Sequence, residues 1–237
     1  MNRISITVLV DNISSEKLES EHGLSLWIEY GDRHILFDTG RSDLLLKNAK
    51  RLDIDLTSTD ALVISHGHYD HTGGLLPVLD MAAKAKLYLH PGATEPKFSC
   101  KTPRAHWIGM SEAVHRALYT RPICWTVQPA LLFPGAAVTG QVPRVNNYED
   151  VGGAFFLDKE CQEPDLLPDD QALVLASPRG LIVVFGCAHA GVVNTVAYIS
   201  ELAGQEKIYA VVGGMHLLNA NRTRIDHTIE TLRKYKV

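Results

Sequence analysis

Three histidines and one aspartate stand close together in the segment Ser65-His66-Gly67-His68-Tyr69-Asp70-His71. The segment follows directly on an apolar run that predicts a buried strand over residues 61–65. Side chains two residues apart point to the same side of an extended chain, so His66 and His68 can hold one cation together. Asp70 and His71 come after the chain turns into a helix and can hold a second cation. The segment therefore predicts two adjacent metal ions.

A histidine-rich surface loop is the alternative interpretation of this segment. The pair Gly73 and Gly74, one residue after this segment, argues against that alternative. Glycines allow a close approach of neighbouring backbone, which a solvated loop does not need. We treat Gly67 and Tyr69 as spacers between the metal-binding residues.

A further histidine stands at the end of an apolar strand in the second half of the chain, in the segment Phe185-Gly186-Cys187-Ala188-His189-Ala190-Gly191. We expect His189 to complete a three-imidazole site with His66 and His68. A core histidine whose ring is satisfied within the protein is the alternative. Cys187 could share the face of His189, but we expect it to be a buried soft apolar side chain rather than a ligand.

Two more strand ends carry candidate residues. His216, in the segment Val211-Val212-Gly213-Gly214-Met215-His216, is expected to bind metal or to lie directly at the metal site. Asp38 ends an early strand in apolar surroundings, where a carboxylate needs a hydrogen-bond donor. The N–H of a metal-binding imidazole would serve and would fix the tautomer of that ring. An aspartate that caps a turn is the alternative.

Four other charged residues are less informative. For Asp169 and Asp170, a further carboxylate ligand and a pair of solvated turn acids both remain open. Arg144 and Arg179 are expected at the surface, where most arginines lie.

The composition limits the class of protein. The chain has 237 residues, 46% of them apolar, which is enough for one sizeable core, and we expect a single domain over residues 1–237. Its 23 basic and 27 acidic residues give a net charge of −4, which disfavours binding to nucleic acid. The 4 cysteines are widely spaced without a Cys-x-x-Cys motif. They suggest neither a disulfide framework nor a structural zinc site.

No membrane or secretory segment is expected. The longest uncharged window, residues 122–143, contains four prolines, at positions 122, 129, 134 and 143, which a membrane helix would not tolerate. The first residues alternate like a strand and lack the basic start, apolar block and cleavage site of a signal peptide. A cytoplasmic location is therefore expected.

Alternating and β-branched runs predict strands, and apolar residues at helical spacing predict helices. The expected strands cover residues 4–11, 23–30, 34–38, 61–65, 86–90, 130–138, 154–157, 172–176, 181–186 and 207–212. The expected helices cover residues 42–52, 74–83, 191–202 and 223–234. Residues 91–121 show no period, and we interpret them as a cover over an active site. Two mixed sheets face to face with helices outside would fit this α/β (α+β) pattern.

The four residues of the central segment, His66, His68, Asp70 and His71, resemble the hallmark of the metallo-β-lactamase superfamily, and the resemblance spans nearly the whole chain. More narrowly, several segments resemble the branch labelled 7,8-dihydropterin-6-yl-methyl-4-(β-D-ribofuranosyl)aminobenzene 5′-phosphate synthase. They are residues 10–12, 21–26, 35–40, 65–74, 186–191 and 213–217. The resemblance implies a four-layer αββα sandwich, the metallo-β-lactamase fold, with metals at one edge.

The resemblance also implies how the ligands are shared. It assigns three imidazoles to one metal, those of His66, His68 and His189, and assigns Asp70 and His71 to the other. His216 falls where many superfamily members place a bridging carboxylate, which implies metals linked chiefly by water or hydroxide.

This chain departs from the branch at its end. Members of the branch usually continue past the last helix into a strand that ends in His-Cys-Thr-Gly, whereas this chain stops at Val237. We therefore expect the usual C-terminal strand and its histidine to be lacking and the second metal site to be partly occupied. His227 lies within the expected final helix and is not expected to replace that histidine.

The function implied is that of a metal-dependent hydrolase or phosphate-handling transferase with a dinuclear site, acting on a small phosphorylated or pterin-like molecule. Asp70 and His216 are its expected catalytic residues. The metals would supply a bound hydroxide or hold a phosphate leaving group. Zinc is expected from the imidazole-rich set, with manganese and iron as alternatives. Redox di-iron relatives place Glu where this chain has His68, which favours hydrolytic chemistry.

Two alternatives stay open. One is a phosphodiesterase or RNA-processing nuclease of the same fold, although the net charge of −4 argues against it. The other is a metal-binding sensor with impaired catalysis. The sequence leaves open whether the chain forms a homo-oligomer.

Overall fold

The computed structural model describes residues 3–15, 17–101, 104–205 and 207–237. These residues divide into two compact units. The first unit consists of the described residues up to Pro96 together with Ile108–Trp125. The second consists of the described residues of Lys97–Trp107 and Thr126–Val237.

The strands, in chain order, are β1 (Ile4–Val10), β2 (Ser25–Tyr30), β3 (Arg33–Phe37), β4 (Ala61–Val63), β5 (Lys86–Leu89), β6 (Phe98–Ser99), β7 (His106–Trp107), β8 (Ile123–Trp125), β9 (Ala130–Phe133), β10 (Ala136–Val138), β11 (Phe155–Phe156), β12 (Leu173–Ser177), β13 (Gly180–Phe185) and β14 (Ile208–Gly213). The α-helices are α1 (Leu44–Arg51), α2 (Tyr69–Thr72), α3 (Leu75–Met81), α4 (Glu112–Leu118), α5 (Val192–Ala203) and α6 (Arg222–Lys234). Short 3₁₀ turns occupy Leu56–Ser58 and Pro91–Thr94.

The sheet of the first unit is mixed, and its strands lie in the order β1-β2-β3-β4-β5-β8. The first three strands pair antiparallel, with the β2–β3 turn at Gly31, whose φ of 67° favours glycine. From β3 onward the neighbours are parallel. The carboxyl ends of parallel strands meet at one edge of a sheet, so the residues that follow β3 and β4 leave the sheet at the same edge.

A buried apolar cluster joins this sheet to helices α1, α3 and α4. Alternate residues on one face of the strands point into it, as the two-residue period of a strand requires. Its members include Leu9, Leu36, Leu62, Leu87 and Leu89 from the strands and Leu45, Ala49, Leu75, Val78, Val114 and Leu118 from the helices. The cluster makes the sheet a rigid support for the loops at its edge.

The larger sheet of the second unit has the strand order β14-β13-β12-β10-β9. All six residues of β13 are buried, and helices α5 and α6 contribute to the apolar cluster beside this strand. Strands β13 and β14 are parallel, with Phe185 opposite Gly213. The segments after these two strands therefore leave the sheet at the same edge. A small antiparallel sheet has the order β11-β6-β7.

The expected strands and helices are confirmed in type and order, and their boundaries move by a few residues. Two stretches are exceptions: residues 91–121 contain β6, β7 and helix α4 rather than only irregular chain, and strand β8 was not expected. The side chain of Ser111 caps α4 by accepting from the N–H of Val114. Val114 and Leu118 are the buried residues of this helix. An apolar stripe of two residues one turn apart is too short to stand out among Pro, Gly and aromatic residues.

The cysteines behave differently from the expectation. Cys100 and Cys161 form a disulfide although 61 positions separate them. Pairing of β6 with β11 brings them together, and the N–H of Cys100 donates to the carbonyl of Ala154 at 3.0 Å. Because strand pairing over a long separation brings the two cysteines together, no Cys spacing motif in the sequence indicates this disulfide. Cys124 and Cys187 carry thiols rather than disulfides.

None of the helices formed by the described residues has the length and apolar character needed to cross a bilayer. The uncharged window at residues 122–143 instead contains strands β8, β9 and β10.

Candidate metal centre

His66 and His68 follow strand β4 in the first unit and are both buried. The Nε2 atom of His66 lies 3.0 Å from the Nδ1 atom of His68. Two ligand atoms at 2.0–2.1 Å from a tetrahedral ion are about 3.3 Å apart. The observed 3.0 Å is slightly shorter and also suits a hydrogen bond between the rings, so both nitrogens are near enough for one ion to bind them. Gly67 is more than a spacer, because a Cβ there would lie 2.2 Å from the carbonyl oxygen of Ala93.

A chain of hydrogen bonds sets the tautomer of His66. The hydroxyl of Ser65 donates to Oδ2 of Asp38 at 2.7 Å, and its oxygen lies 2.9 Å from Nδ1 of His66. Because the hydroxyl proton is used on Asp38, the Ser65 oxygen accepts from the Nδ1–H of His66. The lone pair of the ring is then on Nε2, the atom that lies near His68.

Asp38 is fully buried and orients a second histidine. Its Oδ2 lies 2.7 Å from Nδ1 of His71, and its Oδ1 accepts the N–H of Ser65 at 2.7 Å. The expected contact between Asp38 and an imidazole is thus present. The φ of Asp38 is 58°, a left-handed conformation that Asp tolerates better than most residues. With its Nδ1–H on Asp38, His71 carries its lone pair on Nε2.

Helix α2 begins directly after His68 and carries Asp70 and His71, as expected. Oδ2 of Asp70 lies 3.7 Å from Nε2 of His71. The two glycines after the helix allow the close packing that the sequence indicates. A Cβ on Gly73 would lie 1.9 Å from the carbonyl oxygen of Arg41, and one on Gly74 would lie 2.3 Å from that of Thr39.

A further histidine of the first unit was missed by the sequence reasoning. Nε2 of His22 lies 3.3 Å from Oδ2 of Asp70. His22 occurs in one of the segments on which the family resemblance rests, but neither spacing nor hydropathy indicated that this loop reaches Asp70.

His189 and His216 lie side by side in the second unit, with ring centroids 4.3 Å apart. They follow the parallel strands β13 and β14, which explains why they meet. Nδ1 of His189 donates to the carbonyl of Val151 at 2.7 Å, so the lone pair of the ring is on Nε2. His216 has a φ of 47°, and a Cβ on Gly152 would lie 2.6 Å from its Nδ1. Glycine at position 152 therefore makes room for this ring.

Arg144 supports the backbone around His189. Its Nη1 donates to the carbonyl of His189 at 2.6 Å and its Nη2 to the carbonyl of Glu149 at 2.7 Å. Burial lowers the pKa of the Arg144 guanidinium, while Asp170 and Glu149 act in the opposite direction. The expected surface position is wrong for Arg144, which is half-buried, and correct for Arg179, which is exposed.

The carboxylate of Glu149 joins this backbone segment to helix α5. It accepts from the N–H groups of Val193 and Asn194 at 2.8 and 2.9 Å, in the first turn of the helix. A Cβ on Gly191 would lie 2.2 Å from the same carboxylate. The segment that presents Val151 to His189 is therefore anchored at the helix N-terminus.

Cys187 is half-buried rather than buried, and its sulfur lies within 4.8 Å of a ring nitrogen of His189. This thiol is therefore a candidate metal ligand, whereas the sequence analysis expected a buried apolar side chain. Its sulfur is also 3.6 Å from the position of a Cβ on Gly214.

Asp169 and Asp170 are not solvated turn acids, since both are buried. Oδ2 of Asp170 accepts the N–H of Ala190 at 2.8 Å. Oδ1 of Asp169 accepts from Nζ of Lys97 at 3.0 Å, and Asp165 accepts from the same ammonium at 2.8 Å. A lysine 1% exposed was not anticipated, because nothing in the sequence around Lys97 distinguishes it from a surface lysine.

Comparison with known proteins gives consistent similarities. Over residues 20–98 the chain matches the family described as the metallo-beta-lactamase superfamily. It is 31% identical over 243 residues to the 7,8-dihydropterin-6-methyl-4-(beta-D-ribofuranosyl)-aminobenzene-5'-phosphate synthase of Methanocaldococcus jannaschii, which covers 92% of this chain and 78% of that protein. It is 30% identical to the uncharacterized protein MJ0448 of the same organism, covering 95% of this chain and 84% of that protein.

A solved structure supports the same relationship. The crystal structure of Tm1679, described as a metal-dependent hydrolase of the beta-lactamase superfamily, matches with a TM-score of 0.84 and 31% sequence identity. The match covers 99% of this chain and 85% of that chain. The expected mixed α/β fold and the expected family resemblance are thereby confirmed.

Proposed function

The chain belongs to the metallo-β-lactamase superfamily, and on this basis we propose that it is a metal-dependent enzyme acting on a small phosphorylated or pterin-like molecule. The reaction is hydrolysis or transfer of a group with a phosphate leaving group. The observation that carries the proposal is the 3.0 Å separation of Nε2 of His66 from Nδ1 of His68.

Two divalent ions are proposed, with zinc preferred because imidazoles dominate the donor set, and manganese or iron as alternatives. Three imidazoles are assigned to one ion, those of His66, His68 and His189. Asp70 and His71 are assigned to the other. The donors suit a metal because the second nitrogens of His66, His71 and His189 already have partners on Ser65, Asp38 and Val151.

A divalent ion bound by these residues would supply Lewis acidity, which would lower the pKa of coordinated water to about 7 and neutralise charge on a phosphate. Residues of the chain orient the metal ligands and contact the substrate. Asp38 holds His71 in one tautomer through a buried contact of 2.7 Å. Asp70 is proposed as a catalytic carboxylate, and His216, whose ring is half-buried beside His189, as a catalytic residue that contacts the substrate.

The substrate class rests on the name of one relative. The synthase that is 31% identical to this chain is named for a dihydropterin joined to a ribofuranosylaminobenzene phosphate. For this chain we propose that an arylamine nitrogen attacks an activated pterin methyl carbon, whose bond to a diphosphate oxygen breaks as diphosphate leaves, and that the amine releases one N–H proton to water. Hydrolysis of a small phosphoester at the same residues is the alternative reaction.

The first test is metal content. Protein stripped with chelator and dialysed against zinc, manganese or ferrous iron is analysed for ions per chain. We expect His68→Ala to lose tight binding of one ion, while His227→Ala, which changes a half-exposed histidine of helix α6, keeps it. Wild-type protein that retains no ion from any of the three metals would end the proposal.

The second test separates the two reactions. Metal-loaded protein is given a pterin methyl diphosphate with and without an arylamine, and, separately, small phosphomonoesters and phosphodiesters. Diphosphate release that depends on the amine identifies a transferase, and release without the amine identifies a hydrolase. Tight metal binding without turnover of any of these compounds would favour the sensor alternative.

A further inference from the structure

His22 lies beside Asp70 in the first unit, although it is not one of the metal ligands assigned above. We propose that Nε2 of His22 is a ligand of the second divalent ion, together with Asp70 and His71. The inference rests on the proposed function, because that function supplies the metal.

The distance between the two side chains suits shared coordination better than a direct contact. Nε2 of His22 lies 3.3 Å from Oδ2 of Asp70. A charge-assisted N–H···O hydrogen bond is shorter, at about 2.7–2.9 Å. Two donors on a tetrahedral ion with bonds of 2.0–2.1 Å are about 3.3 Å apart. The observed spacing is that of two ligands around one ion.

The other nitrogen of His22 is already used. Nδ1 of His22 lies 3.1 Å from Oδ1 of Asn12. The same oxygen accepts the backbone N–H of Gly23 at 3.1 Å, which identifies it as an acceptor. His22 therefore donates its Nδ1–H to Asn12, and Nε2 carries the lone pair that a metal requires. His71 shows the same pattern, with its Nδ1 on Asp38.

The backbone holds His22 in register with Asp70. The N–H of Leu24 donates to the carbonyl of Asp70 at 3.3 Å. Gly23 has a φ of 144°, and a Cβ there would lie 2.3 Å from that carbonyl oxygen. Glycine at this position permits the close approach. The backbone of the loop that carries His22 therefore contacts the backbone of Asp70, whose carboxylate lies near the His22 ring.

The donor set that results is typical of a catalytic site. Asp70, His71 and His22 supply one carboxylate oxygen and two imidazole nitrogens, and three protein ligands leave a position open for water or substrate. The side chain of His22 is 60% exposed.

The test counts ions and observes His22 directly. Wild-type protein, His22→Ala and a matched control, His227→Ala, are compared for zinc stoichiometry and affinity by competition with a chromophoric chelator. His227 is a suitable control because it is also a half-exposed histidine beside a carboxylate, with Nδ1 3.5 Å from Oε2 of Glu230. Protein labelled with ¹⁵N-histidine and loaded with ¹¹³Cd reports which ring nitrogens bind metal.

With metal in excess, we expect a second ion to bind equally well to wild type and to His227→Ala, and we expect a ¹¹³Cd coupling to Nε2 of His22. In His22→Ala the second ion should bind more weakly by more than the roughly 10- to 100-fold that loss of an outer hydrogen-bond partner costs. Asn12→Ala should weaken the second ion within that smaller range. Because His22 is exposed, unchanged thermal unfolding of the metal-free variant shows that the fold is intact.

Two results would overturn the inference while leaving the proposed function standing. One is a second ion bound by His22→Ala with wild-type affinity. The other is metal-loaded wild type with no coupling at Nε2 of His22. Wild type that binds no metal would remove both proposals.

Discussion

Nδ1 of His71 and Oδ2 of Asp38 lie 2.7 Å apart, although 33 positions separate the two residues in the chain. Both side chains are buried, and the same carboxylate also accepts the N–H and the hydroxyl of Ser65. One aspartate thus orients His71 directly and His66 through Ser65. Its position at the end of a strand parallel to β4 is what makes this possible.

Asp38→Asn tests that relationship. The amide keeps the left-handed backbone, which Asn tolerates, but one of its two positions carries an NH2 group that cannot accept. It therefore loses either the bond from the N–H of Ser65 or the bonds from the Ser65 hydroxyl and His71. We expect metal affinity to fall about 10- to 100-fold and the free energy of unfolding to fall by about 1–3 kcal/mol. Metal competition and urea unfolding measure these changes. Asp60→Asn, which changes a carboxylate that accepts the N–H of His34, should leave metal affinity unchanged. Equal metal affinity in Asp38→Asn and wild type would contradict the assigned role.

Gly67→Ala tests the close packing between His66 and His68, the histidines proposed to bind metal. The new Cβ would lie 2.2 Å from a backbone oxygen of Ala93, so the loop must shift. We expect a loss of about 1–3 kcal/mol in unfolding free energy, together with weaker metal binding. Gly204→Ala is the control, because its Cβ meets nothing within 4 Å although its φ is 60°. That variant should lose stability without losing metal affinity, and a Gly67→Ala protein with intact metal affinity would show that the loop tolerates the shift.

Lys97→Met tests the buried ion cluster of the second unit. Removing the ammonium leaves the carboxylates of Asp165 and Asp169 buried without their shared cation, and we expect a loss of about 3–5 kcal/mol. Lys159→Met, which changes a lysine with a 74% exposed side chain, should change stability by less than about 0.5 kcal/mol. Urea unfolding at pH 7 compares the two variants with wild type.

The same variant predicts a pH dependence. Burial by itself lowers the pKa of Lys97, but Asp169 and Asp165 outweigh it, so the pKa of Lys97 is raised. The stabilisation is therefore fully present below the unfolded-state value of about 10.4 and is lost as pH rises through the higher folded-state value. The stability difference between wild type and Lys97→Met should be constant near pH 7 and should shrink above about pH 10.4. A stability difference that increases above this pH would contradict a raised pKa of Lys97.

Removal of the disulfide should destabilise the second unit. A crosslink over 61 positions restricts the unfolded chain by about 4 kcal/mol in the loop-entropy model, and measured losses are typically about 2–4 kcal/mol. We expect this loss in the double variant Cys100→Ser with Cys161→Ser, measured by urea unfolding without reductant. Cys124→Ser removes an exposed free thiol and should have little effect. If reductant destabilises the double variant as much as wild type, the crosslink is not the cause.

Local patterns were sufficient for the parts of the site that depend on neighbours in the chain. The alternation of His66 and His68 at a strand exit, and the helix that carries Asp70 and His71, follow from the periods of strands and helices. Asp38 was also recognisable, because a carboxylate at the end of an apolar strand requires a donor. These features need no knowledge of which distant segment packs beside them.

Other features were misjudged or missed for one physical reason. Helix α4 has too short an apolar stripe, and Arg144 and Lys97 carry the same charges as ordinary surface residues. Their burial is set by groups that arrive from elsewhere, the carbonyl of His189 in one case and two carboxylates in the other. The charge and hydropathy of a residue do not indicate which distant groups will pack against it.

The amino-acid sequence by itself indicated the order of strands and helices, the family and the histidines proposed to bind metal in the segment of residues 65–71, since each depends on residues close together in the chain. Tertiary structure alone decided the partners: Cys100 with Cys161, Lys97 with Asp165, and His22 with Asp70. Pairs of this kind depend on strand pairing and close backbone approach over long separations, where the sequence has no period to indicate them.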